Sequence, residues 1–365
     1  MKKIIAIGSL VVLMVIVYSC KKNADKPNAQ VYLDLPATTD VYSAFTTDPS
    51  YNQKATLGRV LFYDSHLSVN NAVACGSCHK QALGFADNVS FSTGFEGQLT
   101  KRNSKSIVNL NGDNFSQPNI TQPGSPLFWD GREEIVKDLI ARPITNHVEM
   151  GIEDTNVLPG KLAGLNYYNQ LLYNAYGDSS FSMDRIAECV SSFIVSIQSS
   201  NTRFDQYAAQ GNTSAFTAQE VMGYNLFTTK YNCENCHHVF QNSYTVDDFK
   251  DIGLDVNYTD LGRGAVSGVS SDNGKFRVPS LRNVALSAPY MHDGRYKTLG
   301  DVIDHYSHGI QKSANLDVQL QDSTGHAMQM NIPDGDKQAL IAFLNTMTDY
   351  QLISDPKFSN PFKVK

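Results

Sequence analysis

The chain has 365 residues, six cysteines and a formal net charge of −6, with a pI near 5.8. That acidic balance argues against nucleic-acid binding, which needs a basic footprint, while the length allows two domains. Tyr and Phe number 18 each against one Trp, so aromatic packing is plentiful and Trp129 is singular.

The N-terminus reads as an export signal. Lys2 and Lys3 supply a basic start, residues 4–17 an apolar stretch, and Ser19-Cys20 closes it. The apolar run is shorter than the roughly 20 residues of a membrane-spanning helix. Val17-Tyr18-Ser19-Cys20 resembles a bacterial lipoprotein processing box, with Tyr18 bulkier than usual. The resemblance implies that residues 1–20 are a lipoprotein-type signal, cleaved before Cys20, whose thiol takes lipid and anchors the chain in the periplasm or cell envelope. The other reading is a secreted protein with a spare cysteine. Residues 21–36, polar and containing Pro27, read as a flexible tether.

Residues 51–63 place Leu57, Val60, Leu61 and Phe62 in a helical pattern ahead of Cys75-Gly76-Ser77-Cys78-His79. The CxxCH spacing brings two thiols and an imidazole to one turn. A c-type haem needs that set: two thioether bonds to the porphyrin and a proximal nitrogen on iron. A zinc knuckle would want a second cysteine pair close by, and a redox dithiol a βαβ frame; neither is visible. Residues 183–194 form an amphipathic helical pattern in which Cys189 reads as a buried thiol. With residues 201–207 this helix marks a junction.

The pattern then repeats. Residues 218–227, with Val221, Met222, Tyr224, Leu226 and Phe227, precede Cys233-Glu234-Asn235-Cys236-His237. Two covalent haems per exported chain follow. Residues 241–280, rich in Gly and Asp, predict a long surface loop, and residues 336–347 a last helix packing on the second haem. Strand signals are sparse. The expected fold is mainly α, two cytochrome c-like haem domains with long loops: 37–205 around the first haem and 206–365 around the second.

Around the two CxxCH motifs, in order, stand Leu57-Gly58-Arg59-Val60-Leu61-Phe62, Arg102-Asn103, Phe128-Trp129-Asp130-Gly131-Arg132 and Val148-Glu149-Met150. Val278-Pro279-Ser280-Leu281-Arg282-Asn283-Val284, Pro289-Tyr290-Met291-His292-Asp293-Gly294 and Phe343-Leu344 follow. Each string is weak alone; their order makes nearly the whole mature chain resemble the bacterial diheme cytochrome c peroxidases, which include the MauG-type enzymes. The resemblance implies that the haem on His79 meets hydrogen peroxide and the haem on His237 collects electrons. It implies that Trp129 lies between the haems and that Glu149 is the distal acid–base residue. Asn103, with the carbonyls of Ser287 and Pro289, matches a calcium site between the domains. Read alone, Trp129 is also a core aromatic and Glu149 a solvated carboxylate.

Three departures bear on mechanism. Phe95 stands where the typical peroxidase has a removable distal His, so the first haem is expected to be open to peroxide without reductive activation. His147 replaces the usual Pro two residues before Glu149, as a distal hydrogen-bonding group or a replacement ligand, and Leu139 replaces a Gln. At the second haem the usual axial Met position holds Tyr306, as in MauG-type enzymes. A phenolate is a hard ligand that favours ferric over ferrous iron. Met291, Met328, Met330, His305 and His308 are the alternative ligands. His66 and His326 have no assigned role.

Three functions compete. The first is reduction of hydrogen peroxide to water with electrons from an external donor such as a small cytochrome c or cupredoxin. The second is a MauG-like oxidase that turns peroxide on a protein or small-molecule substrate, and the third a diheme electron carrier, which would need both irons six-coordinate. The resemblance also implies a homodimer as one assembly, although no self-complementary surface is legible.

Overall fold

A computed structural model describes residues 31–33, 48–110, 119–239 and 248–364. Residues 1–20, expected to be the export signal and to end at the lipidated Cys20, lie outside the described residues. The molecule is mainly α and folds around two apolar cores, each built on a helix that leads into a CxxCH motif.

The first of these helices, Pro49–Tyr63, starts at Asp48, whose side chain accepts the amide of Ser50 at 2.9 Å, with Pro49 at its first position. It packs along Met183–Ser196, which Ser182 caps by accepting the amide of Arg185 at 3.1 Å. The two cross at Gly58, where an added Cβ would lie 1.8 Å from the carbonyl oxygen of Cys189 and 3.0 Å from Cβ of Phe193. The second unit repeats the arrangement. Helix Ala218–Asn225 crosses Asp334–Asn345 at Gly223, where a Cβ would lie 1.9 Å from the oxygen of Ala339 and 2.8 Å from Cβ of Phe343. In both units a glycine rests on a carbonyl and on an aromatic residue four positions further on. The repeat visible in the cysteines is thus also a repeat of helix packing.

The predicted helices start or stop within a few residues of those observed. At residues 218–227 the α-helix ends at Asn225 and a π-helical turn, Leu226–Lys230, carries the chain to Cys233. A second π turn, His305–Gly309, follows helix Leu299–Asp304.

Three segments differ from expectation. Within 241–280, predicted as a loop, Phe249–Lys250 pairs antiparallel with Phe276–Arg277, and between them lies a short helix, Gly264–Ser267. Two-residue strands are too short for an alternating pattern to reveal. The amide of Arg277 donates to the Trp129 carbonyl at 2.8 Å, so this excursion is fastened to the first unit. Val31–Leu33, inside the expected tether, pairs antiparallel with Phe362–Val364. Finally, the C-terminal tail crosses back to the first core, where Leu352 and Phe358 are buried. Arg59, 2% exposed, donates Nε to the Ser359 carbonyl at 2.7 Å. Among the described residues no helix is long and apolar enough to cross a membrane.

Candidate active site

At the first motif a one-turn helix, Cys75–Cys78, presents both thiols, and its amide-bonded cap is His79, whose N–H donates to the Cys75 carbonyl at 2.9 Å. The His79 ring donates Nδ1–H to the Phe85 carbonyl at 3.0 Å, leaving Nε2 as the lone-pair nitrogen for iron. Burial lowers the pKa of His79, keeping the ring neutral as a ligand must be. The second motif is built alike. His237 donates Nδ1–H to the Pro279 carbonyl at 3.1 Å, and burial pushes its pKa down to about 4. This gives the Val278-Pro279 string a physical role.

The thiols sit in apolar surroundings. Burial pushes Cys75 up to about 12, with Cys78 and then Glu149 adding, and Cys233 likewise to about 12. Around the second motif is a cavity of about 770 Å³ whose walls include Phe227, Ile303, Leu340, Leu344 and Tyr306, within the range of roughly 300–1,000 Å³ for ligand pockets. Paired thiols, a tautomer-fixed imidazole and a large apolar cavity fit a covalent haem.

Glu149 shares the first site. Its charge acts on Cys75 and also on Cys78. Its Oε1 accepts Nδ2 of Asn146 at 2.7 Å, and burial raises its pKa, opposed by Arg132 and Asn146. The Glu149 carbonyl accepts the amide of Phe95 at 3.0 Å, so the distal loop and the Phe95 loop are hydrogen-bonded together. Phe95 packs on the first core. His147 is exposed, its ring edge-on to Phe95 at 6.4 Å and 79°, and Leu139 packs into the apolar core. Asn146 is a positioning group that sequence reasoning did not single out, the Asn-x-x-Glu spacing being the available signal, and Arg132, bonded to Asp130, acts on Glu149 by charge alone.

Trp129 is held through its indole nitrogen. Its Nε1 donates to the Asn103 carbonyl at 2.9 Å, and both residues line the second cavity, as do Ser287 and Pro289. The amide of Asn103 donates to the His292 carbonyl at 2.7 Å. Arg102 ties the same region together, with Nη1 at 2.5 Å from Asp130 and Nε at 2.7 Å from Asp260. The oxygens at Asn103, Ser287 and Pro289 suit a hard cation weakly, being neutral. Among the described residues no group of three or more His, Cys, Asp or Glu forms a metal cluster.

The π turn His305–Gly309 puts Tyr306 in the second cavity, a helix defect of the kind that often marks functional sites. Burial raises the phenol pKa strongly, with Cys233 and Cys236 adding to it. A phenolate there needs a cation beside it. His305 is held at both nitrogens, by the Ile252 carbonyl at 2.9 Å and the Tyr296 hydroxyl at 3.2 Å. His308 is exposed. Met291, Met328 and Met330 line the cavity with Tyr306. Elsewhere, His66 Nδ1 meets Asp64 at 2.7 Å and His326 Nδ1 the Thr324 hydroxyl at 2.7 Å. Buried Cys189 lies 3.3 Å from the Tyr176 hydroxyl.

A family model for di-haem cytochrome c peroxidases matches residues 52–214. The methylamine utilization protein MauG of Methylorubrum extorquens is 30% identical over 303 residues, covering 82% of this chain and 79% of the relative. The chain belongs to the bacterial diheme cytochrome c peroxidase family. The cytochrome c551 peroxidase of Nitrosomonas europaea is 31% identical over 261 residues, covering 70% of this chain and 73% of that protein. Among solved structures, a MauG-like protein associated with microbial copper homeostasis superposes with a TM-score of 0.73 at 30% identity, covering 85% of this chain and 93% of that one. As a member of the family the chain is an oxidoreductase that acts on hydrogen peroxide and carries two c-type haems.

Proposed function

We propose that peroxide is reduced at the centre on Cys75, Cys78 and His79, and that electrons enter at the centre on Cys233, Cys236 and His237. When bound, each haem supplies a redox-active iron. The net change is hydrogen peroxide, two electrons and two protons going to two waters. Glu149 takes a proton from one peroxide oxygen and returns it to the departing one, while the Asn146 amide holds its carboxylate and the charge of Arg132 favours its ionised form. Phe95 cannot ligate iron, which leaves the distal side to the substrate. Trp129 relays electrons between the centres, its indole N–H fixed by the Asn103 carbonyl.

The observation that carries this reading is the half-buried carboxylate of Glu149, whose charge acts on both thiols of the first site. Electron paramagnetic resonance of the as-isolated ferric protein tests it: the first haem should be high-spin, or at most weakly water-ligated, without reducing pretreatment. Two low-spin haems would point to a protein ligand such as His147.

Tyr306 favours a second reading, a MauG-like oxidase that draws electrons from a protein or small molecule. It faces the thiols of the second motif, whereas His305 is held by two other groups. Donor-dependent turnover separates the two: a peroxidase consumes peroxide only as fast as a reduced cytochrome or cupredoxin supplies electrons. The proposal further includes export to the periplasm with a lipid anchor on Cys20. It also includes one calcium ion held by Asn103, Ser287 and Pro289 beside Trp129, and a homodimer as the assembly.

A further inference from the structure

Lys105 is the anomaly of the ground between the two motifs. Its Nζ is buried and makes no hydrogen bond, although a buried ammonium ordinarily has an anionic or carbonyl partner. It lies 4.9 Å from the centroid of the Trp129 ring. Burial, and after it the charge of Arg277, holds its amine well below the ordinary lysine range; Arg277 is itself 5% exposed. Both side chains line the cavity that holds Cys233, Cys236, His237 and Tyr306. Two basic side chains facing one buried cavity make a site for carboxylates, whose negative charge is what would keep the amine protonated.

We propose that Lys105, with Arg277, clamps the propionate carboxylates of the haem on His237 and so holds that haem's edge against Trp129. The haem is the one anion source that the second motif itself brings into this cavity. Pairing also offsets a positive charge that would otherwise sit over the indole and oppose an electron hole on it. Lys105 is thus a positioning residue for transfer between the centres. This rests on the reading that the second motif carries haem, so haem content is measured first, by pyridine haemochrome. One haem per chain in the wild type, the one on Cys75 and Cys78, would overturn that reading and the clamp together.

With both haems present, the midpoint potential of the second should fall in Lys105→Met, because losing a nearby positive charge favours the ferric form. Lys105→Arg should restore it, and the first haem should be unaffected. An unchanged potential at the second haem, or a shift confined to the first, overturns the clamp. Should Lys105→Met fail to retain haem, the wild type still decides. Resonance Raman should show propionate bending bands that shift in D₂O, and bands that do not move refute the pairing. A second-haem potential that follows added chloride or acetate at constant ionic strength would instead mean a free anion on Lys105, which also refutes the proposal.

Discussion

At the scale of single residues, chemistry concentrates on Glu149 and Tyr306. Replacing Glu149 by Gln keeps the volume and removes the proton acceptor. Peroxide activation should slow by about 10²–10⁴-fold, the usual scale for a positioned acid–base group, with both haems retained; stopped-flow spectroscopy measures it. Burial raises the Glu149 pKa, and only the deprotonated form accepts a proton. The wild-type rate should therefore climb with pH through a step above the ordinary carboxylate range, and Glu149→Gln should lose that step. An unchanged profile would move the role to another group. Tyr306→Met exchanges a hard anionic donor for a thioether, which should raise the potential of the second haem and shift the enzyme toward donor-driven peroxide reduction. If neither the potential nor the low-spin signal changes, Tyr306 only packs, and the ligand is among the nearby methionines. Much of this was legible. CxxCH is a compact covalent signature, and the family resemblance marks Tyr306, which lines the cavity around the second motif. Lys105 was not legible, because an isolated lysine in sequence looks like any surface lysine, and only its buried, unbonded Nζ sets it apart.

At the scale of elements, the paired helix crossings seat each CxxCH motif on its own apolar core. Apolar spacing revealed the helices before each motif and the final one, since each buries one face. It did not reveal the π turns at Leu226–Lys230 and His305–Gly309, because an extra residue in a turn leaves composition unchanged. Nor did it reveal that Gly58 and Gly223 are contact points; a glycine inside a helical pattern reads first as a weakness of about 1 kcal/mol. The crossing geometry reverses the sign of that effect. Gly223→Ala should gain helix propensity and still destabilise, by roughly 1–3 kcal/mol, the range for overpacking, because its methyl would meet the Ala339 carbonyl oxygen at 1.9 Å. Gly58→Ala should do the same to the first unit. Denaturant unfolding followed at each haem's Soret band would show the loss in the unit that carries the substitution. A stabilised Gly223→Ala protein would mean that the helices are free to separate.

At the scale of the whole molecule, the two units are joined by more than the single pass of chain between them. Arg102 bridges Asp130 and Asp260, the 248–278 excursion bonds to Trp129, and the C-terminal tail returns to the first core. The tail was illegible because its partners are hundreds of residues away in sequence. Its contacts converge on the proximal side of the first haem site. Gln81 Nε2 donates to the Leu352 and Asp355 carbonyls, each at 2.9 Å, and Phe358 meets Phe85 edge-on at 6.3 Å. The Tyr63 hydroxyl donates to the Phe358 carbonyl at 2.7 Å. Phe85 is the residue whose carbonyl holds the His79 ring, so the end of the chain braces the first proximal ligand. Removing residues 351–365 would expose the face under Phe358, worth about 1.5–3 kcal/mol for that side chain alone. It would also strip Arg59 of its Ser359 partners, adding about 1–3 kcal/mol for a buried donor left unsatisfied. The truncated protein should still attach both haems, since both CxxCH motifs remain. Its first haem should unfold at lower denaturant and show altered proximal-histidine spectra, while the second keeps its potential. Equal loss at both haems would mean that the tail supports the molecule generally, and no loss at the first would mean that His79 is fixed without it.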